Sequence, residues 1–538
     1  MENAQYMYNW IYSQNVHYSE RELRIFIWRS PQPSPMDPRI ARLRNSSGMA
    51  NTRGLSAELI ESFLHSDPNL DIALNQAIIA RDAMSNDLEK LLLELDEAQF
   101  SMELQKDFVN FYEPSTVNPY IPLAAKGPWI VTTHGAVIHD NGGYGMLGMG
   151  HDPTEVMESM SGSHVMANVM TPSLTHKRFA DSLKREVGHT RGDCPFDRFI
   201  CMNSGSESVT VAMRIADINA RLMTDKSGRH EGKEIWTVAL DSGFHGRTDR
   251  PASISSSCLP KYQKKLASFR GKSNVRFVPP NDIEALKDVF SDADNEGAFI
   301  ELIAMEPVMG EGNPGLMLDR DFYDHAITLA NKHGSLILID SIQAGIRGQG
   351  CLSIVDYPGF EDCQVPDFET WSKALNAGQY PLSVLGMSAR ASELYAVGVY
   401  GNTMTTNPRA LETAISVLDR MDSNLRSNIR NRGKEFVDKL VALSGRLPGC
   451  ITQVQGTGLL VSAELDPMRF PVIGTHGVEQ WCRKHGLGVI HGGNNALRFT
   501  PHFYLTSKEI DMIVSIVESC LTAFGAESSE PEILAANI

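Results

Sequence analysis

The chain lacks the cysteine pattern that a disulfide framework or a zinc site needs. Its eight cysteines (Cys194, Cys201, Cys258, Cys351, Cys363, Cys450, Cys482 and Cys520) are scattered through 538 residues with no C-x-x-C pair. That usage fits a reducing compartment. No apolar run approaches the ~20 residues that span a bilayer. The opening MENAQYMYNWIY lacks the charged-then-apolar layout of a signal peptide. Positive charge is also scarce: the net charge is −16, and no long Lys/Arg cluster forms a phosphate-tracking stripe. Nucleic acid and anionic membrane are therefore poor candidate partners. These absences lead to the expectation of a soluble, cytoplasmic protein.

What is present is ordinary globular composition, 42% hydrophobic and 21% charged, with length for two or three domains. The first zone, 1–110, reads as a helical N-terminal extension. It starts aromatic-rich, passes a Pro-punctuated loop (Ser30 to Pro38) and is Leu- and Glu-rich at helical spacing from Asp87 to Phe100. It carries no interpretable motif, so its plain reading is an arm or an extra packing layer.

From 160 to 410 short apolar runs alternate with amphipathic segments. Phe199–Met202, Ile235–Leu240, Val275–Val278, Leu302–Met305 and Leu336–Ile339 read as strands. Val209, Ala212, Met213, Ala216 and Ala220 mark one helix face. Phe322, Ala326, Leu329 and Ala330 mark another, with Gly334 as its C-cap. Strand, helix, strand in repetition predicts an α/β domain with a mostly parallel sheet between helices. Ligands of such sheets bind at the carboxyl ends of the strands. Residues 111–159 and 411–527 read as a smaller α+β domain, with a long helix from Pro408 to Leu443, strands at Leu459–Leu465 and Gly488–Ile490, and a last helix from Lys508 to Phe524. Residues 528–538 read as a loose polar tail.

Asp340 ends the apolar strand Leu336–Ile339, where a carboxylate is costly to bury unless paired. Alone it reads as a helix cap or an ion-pair partner. Lys373, in Trp371-Ser372-Lys373-Ala374-Leu375, would alone be a solvated lysine. Together they fit pyridoxal 5′-phosphate (PLP) chemistry, which needs a lysine for the Schiff base and a carboxylate that keeps the pyridine nitrogen protonated. Asn203-Ser204-Gly205-Ser206-Glu207, between a strand and a helix start, offers amides to a phosphate. Simple serine capping is the plain alternative there.

Eight strings then occur in one order. They are Asn203–Glu207, Phe244-His245-Gly246-Arg247-Thr248, Glu306-Pro307-Val308-Met309-Gly310-Glu311, and Asp340-Ser341-Ile342-Gln343-Ala344-Gly345. Ser372–Leu375 follows, then Thr403 with Asn407-Pro408, Gly456-Thr457-Gly458-Leu459 and Arg498-Phe499-Thr500-Pro501. In this order the sequence resembles the class III (ω-) aminotransferases of the PLP-dependent fold-type I superfamily, over roughly 115 to 525. Gln379-Tyr380-Pro381-Leu382-Ser383 adds a likeness to the ornithine aminotransferases.

The resemblance implies a PLP-dependent transferase fold of type I with a seven-stranded-type sheet. It makes Lys373 the Schiff-base lysine and proton shuttle, and Asp340 the partner of the pyridine nitrogen. Gln343 would reach the ring hydroxyl, and Phe244 would stack on the ring beside the cofactor-facing turn of His245. Gly205 and Ser206 would hold the phosphate, which Thr403 of a neighbouring subunit would also bind, so that a homodimer shares its sites. Arg498 would grip a substrate carboxylate, with Glu311 paired to it when an amine end is admitted. The implied reaction moves an amino group from an amino acid or ω-amine, ornithine- or lysine-like, to a 2-oxo acid such as 2-oxoglutarate.

The chain departs from the family at Ser341, where Glu is usual, and at Thr405-Thr406, where Gly-Gly is usual. The stretch Ala344 to Gly350 is altered, and Asp356 to Val365 lengthens the path to Lys373. An aminomutase, racemase or decarboxylase on the same residues, or a catalytically silent binding protein on this fold, are the alternatives. Two G-x-G-x-x-G strings, at Gly143 and Gly310, run into turns rather than helices, so a nicotinamide cofactor is set aside. No ligand cluster surrounds His151 or His245, and no metal is expected. Cys201, inside an apolar strand, reads as inert core.

Overall fold

The structure is a computed structural model that describes residues 36–166 and 169–527. The aromatic-rich start, most of the Pro-punctuated loop and the polar tail lie outside the described residues. No described helix is long and apolar enough to cross a membrane.

A seven-stranded sheet forms the centre. Its strands are β4 (Arg198–Met202), β5 (Glu234–Leu240), β6 (Val275–Val278), β7 (Ala298–Met305), β8 (Leu336–Asp340), β9 (Phe368–Trp371) and β10 (Ser383–Met387), in the order β4-β10-β9-β8-β7-β5-β6. β5, β6, β7, β8 and β9 pair in parallel, and β10 runs antiparallel to both its neighbours. The central strands β7, β8 and β9 are buried along their whole length. Sheets covered on both faces have such near-continuous apolar strands. The helix Gly205–Thr224 covers one face, and Val209, Ala212, Met213, Ala216 and Ala220 are all buried as the sequence predicts. Gly334 caps the helix Arg320–His333 at φ 90°, a left-handed conformation that glycine adopts without strain.

Two smaller sheets flank the centre. One combines β1 (Pro122–Lys126), β2 (Trp129–Thr132) and β3 (Val137–Asp140) with β13 (Leu487–Gly488). The other has the order β11 (Ile451–Thr457), β12 (Leu460–Leu465), β15 (Ala496–Phe499), β14 (Ile490–Gly492) and is antiparallel. The helix Pro68–Asp82 lies against the first of these. The Trp129 indole N–H donates to Asp67 (2.6 Å), and Leu70, Ala73, Leu74 and Ala77 of the helix Pro68–Asp82 are buried.

Two helices differ from expectation. The long helix from Pro408 to Leu443 is two, Pro408–Leu418 and Ser423–Arg446. Asp422 opens the second, its carboxylate accepting from the Leu425 amide at 2.7 Å. The stretch Asp87 to Phe100 is likewise broken, between Asn86–Glu94 and Glu97–Gln105, by an Asp96/Gln99 capping box.

Candidate active site

The carboxyl edge of the parallel strands gathers most of the residues singled out in the sequence. Asp340 ends β8 and is buried. Its Oδ2 lies 2.8 Å from His245 Nδ1, and its Oδ1 accepts from the Ile342 amide at 3.1 Å. His245 follows β5, fixed by its own amide donating to Ser255 Oγ (2.8 Å), and its Nε2 is buried without a protein partner. Burial opposes charge on this imidazole, but the Asp340 carboxylate outweighs it and raises the pKa above the usual histidine value.

Lys373 stands two residues past β9, with φ 48°. That left-handed conformation is strained for a side-chain-bearing residue and holds the lysine off the strand axis. Its Nζ donates to Gln343 Oε1 (2.8 Å), and Gln343 in turn donates to the Gly310 carbonyl (3.2 Å). Burial, with the nearby positive charge of Arg498, lowers the Lys373 ammonium to about 8. An amine near its neutral form at physiological pH is a competent nucleophile and proton carrier.

Arg498 reaches the same place from β15, donating to the Gly310 carbonyl. Its Nε is buried without a protein partner, and its guanidinium carbon lies 5.7 Å from the centre of the Tyr144 ring. Glu311 is nearby but faces another cation. Its carboxylate lies 3.8 Å from Arg247, and among the described residues no ion pair joins it to Arg498. Arg247 itself sits over Phe244, 5.2 Å from the ring centre.

Gly205 and Ser206 open the helix after β4, and the capping box there selects their amides. The Ser204 side chain accepts from the Glu207 amide, and the Glu207 carboxylate accepts from the Asn203 and Ser204 amides. Of the N–H groups that a helix start leaves unbonded, those of Gly205 and Ser206 remain for an anion. The turn after β5 packs directly on them. Gly246 has φ 123°, and a Cβ there would lie 2.3 Å from Ser206 Oγ. Thr403 is placed elsewhere, exposed in a turn just past Asn402, which donates to Glu207 (2.7 Å).

Among the buried carboxylates with no role assigned from sequence, Glu306 and Glu369 adjoin the site. Glu306 lies in a quoted string and accepts the Phe244 and Gly310 amides, at 2.9 Å each; burial pushes it up to about 7. Glu369, in β9, is buried among apolar neighbours. Its place between the aromatic residues Phe368 and Trp371 was the one local signal, and its partners lie far off in the sequence. Cys201, expected in the core, is only partly buried and lines a surface depression, although desolvation raises its thiol to about 12.

The residues present fit PLP. A strained lysine with a depressed pKa, a buried Asp–His pair, two free amides at a helix start and orphaned nitrogens on His245 and Arg498 match an aldehyde, a pyridine nitrogen, a phosphate and a carboxylate.

Comparison with known proteins points the same way. A sequence profile described as aminotransferase class-III matches residues 112–521. An acetylornithine aminotransferase of Thermosynechococcus vestitus is 29% identical, over 63% of this chain and 77% of its own. One from Neisseria meningitidis serogroup A is 27% identical, over 76% of this chain and 96% of its own. The ornithine aminotransferase structure from Toxoplasma gondii ME49 superposes with a TM-score of 0.68 at 20% identity, covering 81% of this chain and 97% of that one. The acetylornithine aminotransferase structure from Elizabethkingia anophelis gives 0.62 at 20% identity, covering 80% and 100%.

Proposed function

The chain belongs to the class-III aminotransferase family, and from that premise we propose how its residues divide the work of a PLP-dependent amino transfer. The observation that carries the reading is the convergence of Lys373, Gln343, Asp340 and His245 on one sheet edge, joined in pairs at 2.8 Å. When bound, PLP supplies an aldehyde that takes up the amino group and a ring that accepts the electron pair freed at the donor carbon.

Lys373 would hold the cofactor and, once released, would take the proton from the donor carbon and hand it on; its lowered pKa suits both tasks. Asp340 keeps the proton on the ring nitrogen, oriented by His245. Gln343 serves the ring hydroxyl, Phe244 packs on the ring, and the Gly205 and Ser206 amides receive the phosphate. Arg498 receives the acceptor's carboxylate, with 2-oxoglutarate as the acceptor. Glu311 and Arg247 stand 3.8 Å apart near it, one charge for the carboxylate and one for an ammonium of a diamino acid such as ornithine or lysine.

The working unit in this reading is a cytoplasmic homodimer in which Thr403 reaches the neighbouring subunit's phosphate. Exposed apolar side chains support it. Val165, Leu174, Val397 and Met404 are 81, 86, 97 and 66% exposed, and Val169 and Asn402 line one shared depression. Exposed apolar surface marks interfaces. We assign 160–410 to the large cofactor-binding domain, 111–159 with 411–527 to the small one, 1–110 to an extension and 528–538 to a tail.

Incubating the holoenzyme with a panel of amines and 2-oxoglutarate tests the reading. Glutamate formation with one donor and its oxo product supports it. Carbon dioxide release, racemised donor or rearranged amine without glutamate would move the protein to another PLP reaction.

A further inference from the structure

Beside Asp340 stands a buried carboxylate that the amino-transfer scheme does not use. Glu369 lies in β9 opposite Ile339 of β8, one register step before the Asp340–Thr370 pair. One of its oxygens accepts from Ser341 Oγ (2.5 Å) and the Ile354 amide (2.9 Å), and the other accepts from Ser353 Oγ. Ser341 is also held by its own amide, which donates to the Thr370 carbonyl at 3.0 Å. The two ends of the segment Ser341–Ile354, which carries Gln343, are thereby tied to the strand that delivers Lys373 four residues later.

All of Glu369's hydrogen-bond donors are neutral. Among the described residues no ion pair includes Glu369, and its face of the sheet holds the buried Ile339 and Trp371. Burial there pushes the carboxyl up to about 7, and Asp356 nearby adds repulsion. A buried acid without a cation is weak evidence for stability, since well-packed apolar groups often do as well or better. Its geometry is informative instead: three short donors from two segments fix where the chain leaves β8, and that fixes Asp340 and Gln343 against Lys373.

We propose that Glu369 is a positioning residue that sets the register of Asp340 and Gln343 against Lys373, acting through Ser341, Ser353 and Ile354. The proposal rests on the assignment of Lys373 and Asp340 as the cofactor's contacts.

The test compares wild-type holoenzyme with Glu369→Leu, Glu369→Gln and Ser341→Ala. The readouts are the visible circular dichroism of the bound cofactor, the pH midpoint of its visible band, kcat and KM measured separately, and Tm. The expected result is a visible dichroism at least halved in Glu369→Leu, a shifted midpoint, and kcat lower by about tenfold or more with KM within about threefold, as sub-ångström misplacement of reacting groups produces. Ser341→Ala and Glu369→Gln change in the same direction by less. If Glu369→Leu fails to fold, these two milder variants decide the question. Variants that alter Tm alone, with dichroism, midpoint and kcat as in the wild type, overturn the proposal. A wild-type protein that takes up no PLP at all overturns the underlying assignment instead, so the two failures are distinguishable.

Discussion

Asp340 Oδ2 and His245 Nδ1 are 2.8 Å apart, both side chains are buried, and the imidazole's other nitrogen has no protein partner. The carboxylate draws positive charge onto the imidazole, and that charge in turn limits how strongly Asp340 can hold a proton on a ring nitrogen. His245→Gln keeps a side chain beside Asp340 but removes the titrating group. We expect the bound cofactor's visible band to move and kcat to fall by about tenfold, whereas Asp340→Asn should cost about a hundredfold or more. Steady-state rates and pH titration of the band check both.

Lys373 titrates near 8 because burial, with repulsion from Arg498, disfavours its ammonium. Only the neutral amine attacks an aldehyde, so cofactor uptake by apoenzyme should accelerate as pH rises through about 8 and level off above it. Arg498→Ala removes the second cause and should move that midpoint upward. Stopped-flow absorbance at a series of pH values measures both curves.

Arg498 is buried and offers an unpartnered Nε. Arg498→Lys keeps the charge but loses the fork that grips a carboxylate at two points. The expected outcome is a KM for 2-oxoglutarate raised by about tenfold or more, with the resting spectrum unchanged. Steady-state kinetics and the resting absorption spectrum read both.

Gly246→Ala should loosen the phosphate end of the site. At φ 123° a Cβ would meet Ser206 Oγ at 2.3 Å, so the turn and the helix start must separate. Strained positions of this kind cost of order 1–3 kcal/mol. Gly271→Ala, at φ 97° with open space around it, is the control for backbone strain alone. Weaker PLP retention during dialysis in the first variant only is the expected result.

His189 contributes a pH dependence of stability. The Asp356 carboxylate, 3.4 Å from its Nδ1, raises its pKa to about 10 against an ordinary 6.5. The folded state binds the proton more tightly, so the contribution is complete below about 6.5 and is lost as pH rises toward 10. His189→Gln should flatten the fall of Tm across that window.

Much of this architecture is legible in the sequence because parallel strands are short and mostly apolar, Leu336–Ile339 throughout, and because Val209 to Ala220 keep one helical face. The Lys373/Asp340 pairing is legible from its order within eight strings, although neither residue stands out alone. The break at Asp422 was hidden because apolar residues continue at helical spacing on both sides, and only a side-chain cap marks the new start. Glu369 was hidden for the opposite reason. Its partners Ser341, Ser353 and Ile354 lie 15 to 28 positions away, and only the pairing of β8 with β9 brings them together.

Borohydride reduction of the yellow holoenzyme, followed by peptide mass mapping, shows which lysine carries the cofactor. A pyridoxyl phosphate adduct is expected on the peptide containing Lys373, and none in Lys373→Ala. An adduct on another lysine, or a colourless protein that yields no adduct after incubation with PLP, would contradict the assignment of Lys373.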